Sequence, residues 1–318
     1  MNEASPLHPN DTFHPVGDDP WSFESFWFSF YLPERRMMVY VYPWFRPVTG
    51  IAGGGVIAWD ESGSEPWNIR HCDYHWYTPC SDTAALVQGD TLCLPQGIAI
   101  TCLRPQQDFH LRYAAPGFSL DVVFRGHRPA NVSTAPIGES QLFGGRIDQC
   151  GHVEGHVVID GERIAVDCHS MRDRSWGIRR DDNRRMNIGY FHATPDERTA
   201  FLAVSAPTRP GDAGGPVVSG YLVLDGEQQP LVSGHATFIR DADGAPLSCM
   251  IDAEDSAGRK LVAKGSSLSR LAYQPYPGMF NWSALAAWDF NGRDCLGELQ
   301  NTWHPDGWRA LRRGRAIE

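Results

Sequence analysis

The ten residues Val157-Val158-Ile159-Asp160-Gly161-Glu162-Arg163-Ile164-Ala165-Val166 decide the fold class. Two apolar, β-branched runs flank Asp-Gly, a pair that accepts the positive φ angles of the tight turn joining antiparallel strands. Tyr221-Leu222-Val223-Leu224-Asp225-Gly226 repeats the device. Ala236–Arg240 and Leu247–Ile251 flank Asp243-Gly244, and Ser256-Ala257-Gly258 marks a fourth turn. Upstream, aromatic and β-branched runs recur about every ten residues, as at Phe26–Leu32, Met37–Trp44, Phe109–Tyr113 and Ser119–Phe124. No stretch of the first half holds a 3.6-residue apolar period long enough for a helix. Successive hairpins predict antiparallel sheets, and closing such sheets into barrels removes exposed edges. The expected class is all-β.

A chain of 318 residues exceeds the usual single-domain range. Residues 1–20 are rich in Pro, Asp, His and Asn and read as an arm or strap. His156–Val166 and Tyr221–Val232 share a strand, Asp-Gly-Glu turn, strand pattern, which suits two similar halves. Met171–Arg185, between them, is too charged for a central strand and reads as the junction. The expected division is an arm over 1–20, a barrel over 21–177 carrying the segment Arg172–Gly177, and a second barrel over 178–318.

Composition narrows the partners. The formal net charge of −10 argues against a polyanion such as nucleic acid, and the basic pairs Arg179-Arg180 and Arg184-Arg185 are too short to reverse it. Met1–Pro6 has neither a basic start nor an apolar stretch, and no run reaches a membrane-spanning length, so a cytoplasmic protein is expected. The eight cysteines form no CxxC pair and read as reduced, mostly buried thiols. Gly53-Gly54-Gly55 lacks the strand and helix that flank a nucleotide loop. No metal and no cofactor are expected.

Arg172-Asp173-Arg174-Ser175-Trp176-Gly177 is the most unusual string. Two guanidiniums bracketing a carboxylate beside an indole suit a partly buried network, either a clasp between domains or a site with Asp173 catalytic and Arg172, Arg174 and Trp176 binding substrate. Asp167 and His169 lie two apart and share one strand face, where a carboxylate can orient an imidazole for proton transfer. His152, Glu154 and His156 alternate on one face of a strand and read as a polar row lining a barrel. There Glu154 is a second candidate acid if buried, and a metal site is the weaker reading. Trp27, Tyr40, Trp44 and Trp59 belong to an aromatic-rich first half that suits a cavity wall as well as a core. His192, among apolar neighbours, and Glu298, in a late strand, complete the candidate substrate-binding set.

Glu154-Gly155-His156, the Ile159-Asp160-Gly161 turn, the run Asp167–Arg179 and the late Trp288–Arg293 followed by Gly297-Glu298 together resemble the AttH/hydroxyneurosporene-synthase-like superfamily. That resemblance implies two lipocalin-like (calycin) barrels packed together. It also implies chemistry on hydrophobic skeletons, since characterised members include carotenoid hydratases, a prenyl-isoflavonoid hydratase and pericyclases. The favoured expectation is a cofactor-independent hydratase or dehydratase acting on an isoprenoid-like or aromatic small molecule. A non-catalytic binder of a hydrophobic ligand and a cyclase or pericyclase remain open, as does a homodimer.

Overall fold

The computed structural model describes residues 7–15, 17–133, 144–180, 186–207 and 211–315. Arg184-Arg185 and the first six residues of the arm lie outside these. The chain forms two compact units: Met1–Leu32 with Val39–Ala58 and Arg70–Arg180, and Pro33–Met38 with Trp59–Ile69 and Asp181–Glu318. The long division therefore falls after Arg180, and two short segments of the first half join the second unit.

The first sheet runs β1 (Ser22–Leu32), β2 (Met37–Arg46), β3 (Ile51–Trp59), β4 (His71–Pro79), β5 (Val87–Gln88), β6 (Thr91–Cys93), β7 (Ala99–Arg104), β8 (Asp108–Ala115), β9 (Phe118–Gly126), β10 (Asn131–Ser133), β11 (Gly145–Ile159) and β12 (Glu162–Ile178). Their spatial order is β4-β3-β2-β1-β12-β11-β9-β8-β7-β6-β5, with β10 beside β11. The sheet curls, because Tyr113 of β8 bonds His71 of β4 at 3.1 Å although the two strands are far apart in that order. Alternation builds its core face: Phe118, Leu120, Val122 and Phe124 are buried while Asp121 and Arg125 are exposed. Phe28 meets Phe109 and Phe124 edge-on at 5.9 and 5.8 Å.

The segment Arg172–Gly177, expected as a junction loop, lies inside β12, a central strand paired with β1 and β11 on either side. Charge does not exclude it from the sheet because alternation sends Arg172 and Arg174 to the core face and Asp173 to the other, and each finds a partner there.

The second unit is a closed eight-stranded antiparallel barrel of β13 (Asn187–Asp196), β14 (Thr199–Ser205), β15 (Gly214–Leu224), β16 (Glu227–Arg240), β17 (Pro246–Asp255), β18 (Lys260–Tyr276), β19 (Met279–Phe290) and β20 (Arg293–Trp303), followed by the short helix α1 (Pro305–Arg312). Its interior is a packed core of Phe191, Phe201, Phe238, Ile251, Trp288, Phe290 and their neighbours. Trp288 lies over Gly265, where a Cβ would come within 2.8 Å of the indole. An aromatic-walled cavity is therefore not the lumen of this barrel.

The expected hairpins form. Asp160 and Gly161 take φ of 51° and 85°, Asp225 and Gly226 take 54° and 85°, and Asn291-Gly292 adds a further turn at 52° and 80°. Gly161→Ala is expected to cost about 1–2 kcal/mol in chemical denaturation, all of it backbone strain at positive φ, because nothing lies within 4 Å of the added methyl. All eight cysteines are free thiols. Among the described residues no helix is long and apolar enough to cross a membrane.

Candidate functional site

The chemistry-bearing cluster of the first unit lies on the face of the sheet opposite its core. Trp27 of β1, Asp173 of β12 and Asp148 of β11 are neighbours in register. The Arg146 guanidinium donates to Asp148 at 2.6 and 3.0 Å, and its Nη2 lies 2.9 Å from Asp173 Oδ2. Arg146 and Asp148 are two apart in β11 and so share this face. Burial pushes the Asp173 carboxyl up to about 6; Arg146 and Arg179 oppose the shift, while Asp148 reinforces it through its charge and a carboxyl–carboxyl hydrogen bond. Burial also raises the Tyr42 phenol, which interacts with Arg179, Asp173 and Arg146. Trp27 is 4% exposed, and its indole meets Tyr40 edge-on at 5.3 Å. Trp44, also buried, stacks with Phe23 on the same face at 6.1 Å.

Arg172 and Arg174 point the other way. Arg174 donates to Glu24 Oε2 at 2.7 Å, to the carbonyl of Asn10 at 2.8 Å and to that of Thr12. Arg172 donates to Gln149 Oε1 at 2.5 Å and to the Gln106 carbonyl at 3.3 Å. Trp176 stacks on His14 at 4.1 Å. Arg174 thus binds the arm, residues 7–15, against the core face of its own unit, while Arg172 is held by Gln149 and Gln106 with Asp11 of the arm 3.7 Å away. The phenyl faces of Phe109 and Phe26 lie 4.3 and 4.2 Å beneath the two guanidiniums.

The expected Asp167–His169 pair does not form. Asp167 bonds His152 Nε2 at 2.6 Å and is 84% exposed, while His169 Nδ1 faces His127 Nε2 at 3.0 Å. Neighbours across an antiparallel ladder lie closer than residues two apart along one strand, and His152 stands opposite His169. Glu154 is also open to water and bonds Arg125 at 2.8 and 3.0 Å. The row of His152, Glu154 and His156 therefore faces outward instead of lining a barrel, with the Glu154 side chain 46% exposed. Among the described residues no group of three His, Cys, Asp or Glu is placed to hold a metal ion. Asp167→Asn is expected to change stability by less than about 0.5 kcal/mol in chemical denaturation, as for other exposed pairs.

In the second unit, Phe191 and Ala193 fill the barrel core, so His192 projects from the outer surface of its strand, opposite Glu298. Both are almost fully buried, with His192 Nε2 3.1 Å from Glu298 Oε2. Burial drives the His192 pKa down to about 3, which keeps the imidazole neutral. The pair continues through Gln300 Nε2, 2.5 Å from Glu298 Oε1, to Asn281 and Thr302. Trp59 is completely buried in this unit. An open groove of about 560 Å³ lies along β18–β20 beside Lys264, Asp289 and Asp294.

Sequence reasoning named Asp173, His192 and Glu298 but missed Arg146, Asp148, Tyr42 and Arg179. The alternation of Arg146-Ile147-Asp148 was the available signal for two of them. The pairing of His192 with Glu298 spans 106 positions and left no local trace.

Solved structures share this fold. An AttH protein of Nitrosomonas europaea aligns with a TM-score of 0.59 at 12% identity, over 95% of this chain and 98% of that one. Kievitone hydratase of Nectria haematococca aligns at 0.54 and 15% identity, over 97% and 96%. CghA in complex with Sch210972 aligns at 0.58 and 11% identity, over 90% and 89%. At these identities the likeness is one of fold, the AttH-like arrangement of lipocalin-type sheets, and it includes a hydratase. No curated protein sequence matches the chain. Residues 9–305 match the family described as a domain of unknown function, DUF7064, and the chain belongs to that family.

Proposed function

We propose that the protein is a cofactor-independent hydro-lyase that adds water to, or removes it from, a hydrophobic alkene or alcohol, with Asp173 as the general acid. One observation carries this reading: a carboxyl raised to about 6 by burial, sharing one guanidinium with a second carboxyl, beside Trp27 and Tyr42. Protonated Asp173 gives its proton to one alkene carbon, leaving a carbocation that an aromatic face such as Trp27 stabilises. Water adds to the cationic carbon, and the oxonium proton returns to the Asp173 carboxylate. Dehydration runs the same steps backwards. The fold shared with a hydratase supports the reading without fixing the substrate.

A non-catalytic carrier is the competing reading, favoured by the engagement of Asp173 with Arg146 in place of a bare carboxyl. Incubation of the pure protein with a panel of isoprenoid and prenylated aromatic alkenes in heavy-oxygen water separates the two. Label in a product alcohol supports the lyase; bound ligand recovered unchanged supports the carrier. A product of unchanged mass and altered ring count identifies a cyclase instead.

A further inference from the structure

The arm is held in an unusual way. Residues 7–15 contribute no strand to the sheet, yet Arg172 and Arg174, 2% and 1% exposed, are turned toward them. Apolar side chains could cover this face without burying two cations, which is costly unless each is well partnered. Arg174 is fully engaged by Glu24 and two arm carbonyls. Arg172 is not served as well by the arm. Asp11 Oδ2 accepts from the Gln106 amide at 2.6 Å, but Asp11 Oδ1, buried, stands 3.7 Å from Arg172 Nη2, beyond hydrogen-bond reach, and has no hydrogen-bond partner among the described residues. Two residues on, Phe13 packs edge-on against Phe26 and Phe45, at 5.5 and 4.9 Å.

An acid and an aromatic ring, two residues apart, thus sit on a cationic, aromatic surface in the manner of a ligand, and the acid fits imperfectly. We propose that Asp11 and Phe13 act as a tethered pseudo-ligand over a carboxylate-binding site formed by Arg172, Phe109, Phe26 and Phe45. The ligand class is a small arylalkanoate. Its carboxylate takes both the Arg172 fork and the Gln106 amide, and its ring replaces that of Phe13. Release of a short segment with few apolar anchors is the kind of local opening that exposes such a site, and the apparent affinity is lowered by the fraction of time the arm is docked. The site is on the opposite face of β12 from Asp173 and does not depend on the lyase reading.

The test uses the full chain and 4-phenylbutyrate, with 4-phenylbutanol as the uncharged control, in calorimetric titrations. The double variant Asp11→Ala, Phe13→Ala is expected to bind 4-phenylbutyrate at least tenfold more tightly than the unaltered chain, with no comparable gain for the alcohol. No gain, or an equal gain for the alcohol, overturns the proposal. Should the double variant not fold, hydrogen exchange on the unaltered chain decides. Added 4-phenylbutyrate is expected to speed exchange of the amides of Asn10 and His14, which are bonded to His8 Nδ1 and Glu24 Oε1, and to leave β12 protected. Unchanged exchange up to the solubility limit overturns the proposal.

Discussion

Asp173→Asn is expected to lower turnover of a hydrated substrate by about 10²–10⁴-fold, the usual contribution of a positioned acid, while the variant still folds and binds the substrate. Asparagine keeps the shape and the neutral charge of the protonated carboxyl but has no acidic proton to give. The pH dependence follows from the upward shift to about 6. Hydration requires the protonated form, so its rate falls as pH rises through about 6 and keeps falling above it. Stability follows the same sign. A carboxyl whose folded pKa lies above its unfolded one contributes stability that is fully present below the unfolded value, near 3.8, and is lost as pH rises through the folded value. Asp173 therefore contributes a decline between about pH 4 and 6, opposed there by His192, whose depressed pKa adds stability as pH rises. The difference between Asp173→Asn and the unaltered protein isolates the Asp173 share. Urea midpoints at pH 4 and pH 7 check the second effect independently of any substrate. Equal turnover in the asparagine variant would place the acid elsewhere.

Much of the fold was legible because its signals are local. Asp160-Gly161 and Asp225-Gly226 announce their turns by the positive φ they adopt, and Phe118 to Phe124 shows its buried face by alternation alone. The RDRSWG string misled for a physical reason. A run of charges reads as surface when each is imagined in isolation, whereas here Arg174 is matched by Glu24, 150 positions away, and Asp173 by Arg146, 27 positions before it. Only the register of β1, β11 and β12 brings these partners together. The same register undid Asp167 and His169, whose nearest neighbours turned out to lie across the ladder and not along it. Candidate residues could thus be named from the chain, but their pairing, and with it the enclosure of Asp173 and the exposure of Glu154, is a property of the sheet.

The largest stability loss is expected at Arg174→Met, about 3–5 kcal/mol, the usual cost of stripping one partner from a buried ion pair. Glu24 is 4% exposed. Burial alone would raise its pKa, but Arg174 and His14 outweigh that and hold it below the ordinary carboxylate range. Without the guanidinium, Glu24 keeps the desolvation cost and loses its main counter-charge, and the carbonyls of Asn10 and Thr12 lose their donor. Arg174→Lys should restore little, since one ammonium cannot reproduce a fork that reaches Glu24 and both carbonyls. Adding Glu24→Gln to Arg174→Met should recover part of the loss, because the stranded charge is then gone. The linkage sign gives a further check. A carboxylate with a depressed folded pKa contributes stability present above its unfolded pKa and lost as pH falls through the folded one. That acid-side loss belongs to the pair, so Arg174→Met should flatten it, and denaturation midpoints between pH 3 and 7 would show whether it does. A loss below about 1 kcal/mol, or an acid limb unchanged in the variant, would mean that the arm and Glu24 are held chiefly by the packing of Phe13 and His14, with the arginine adding little.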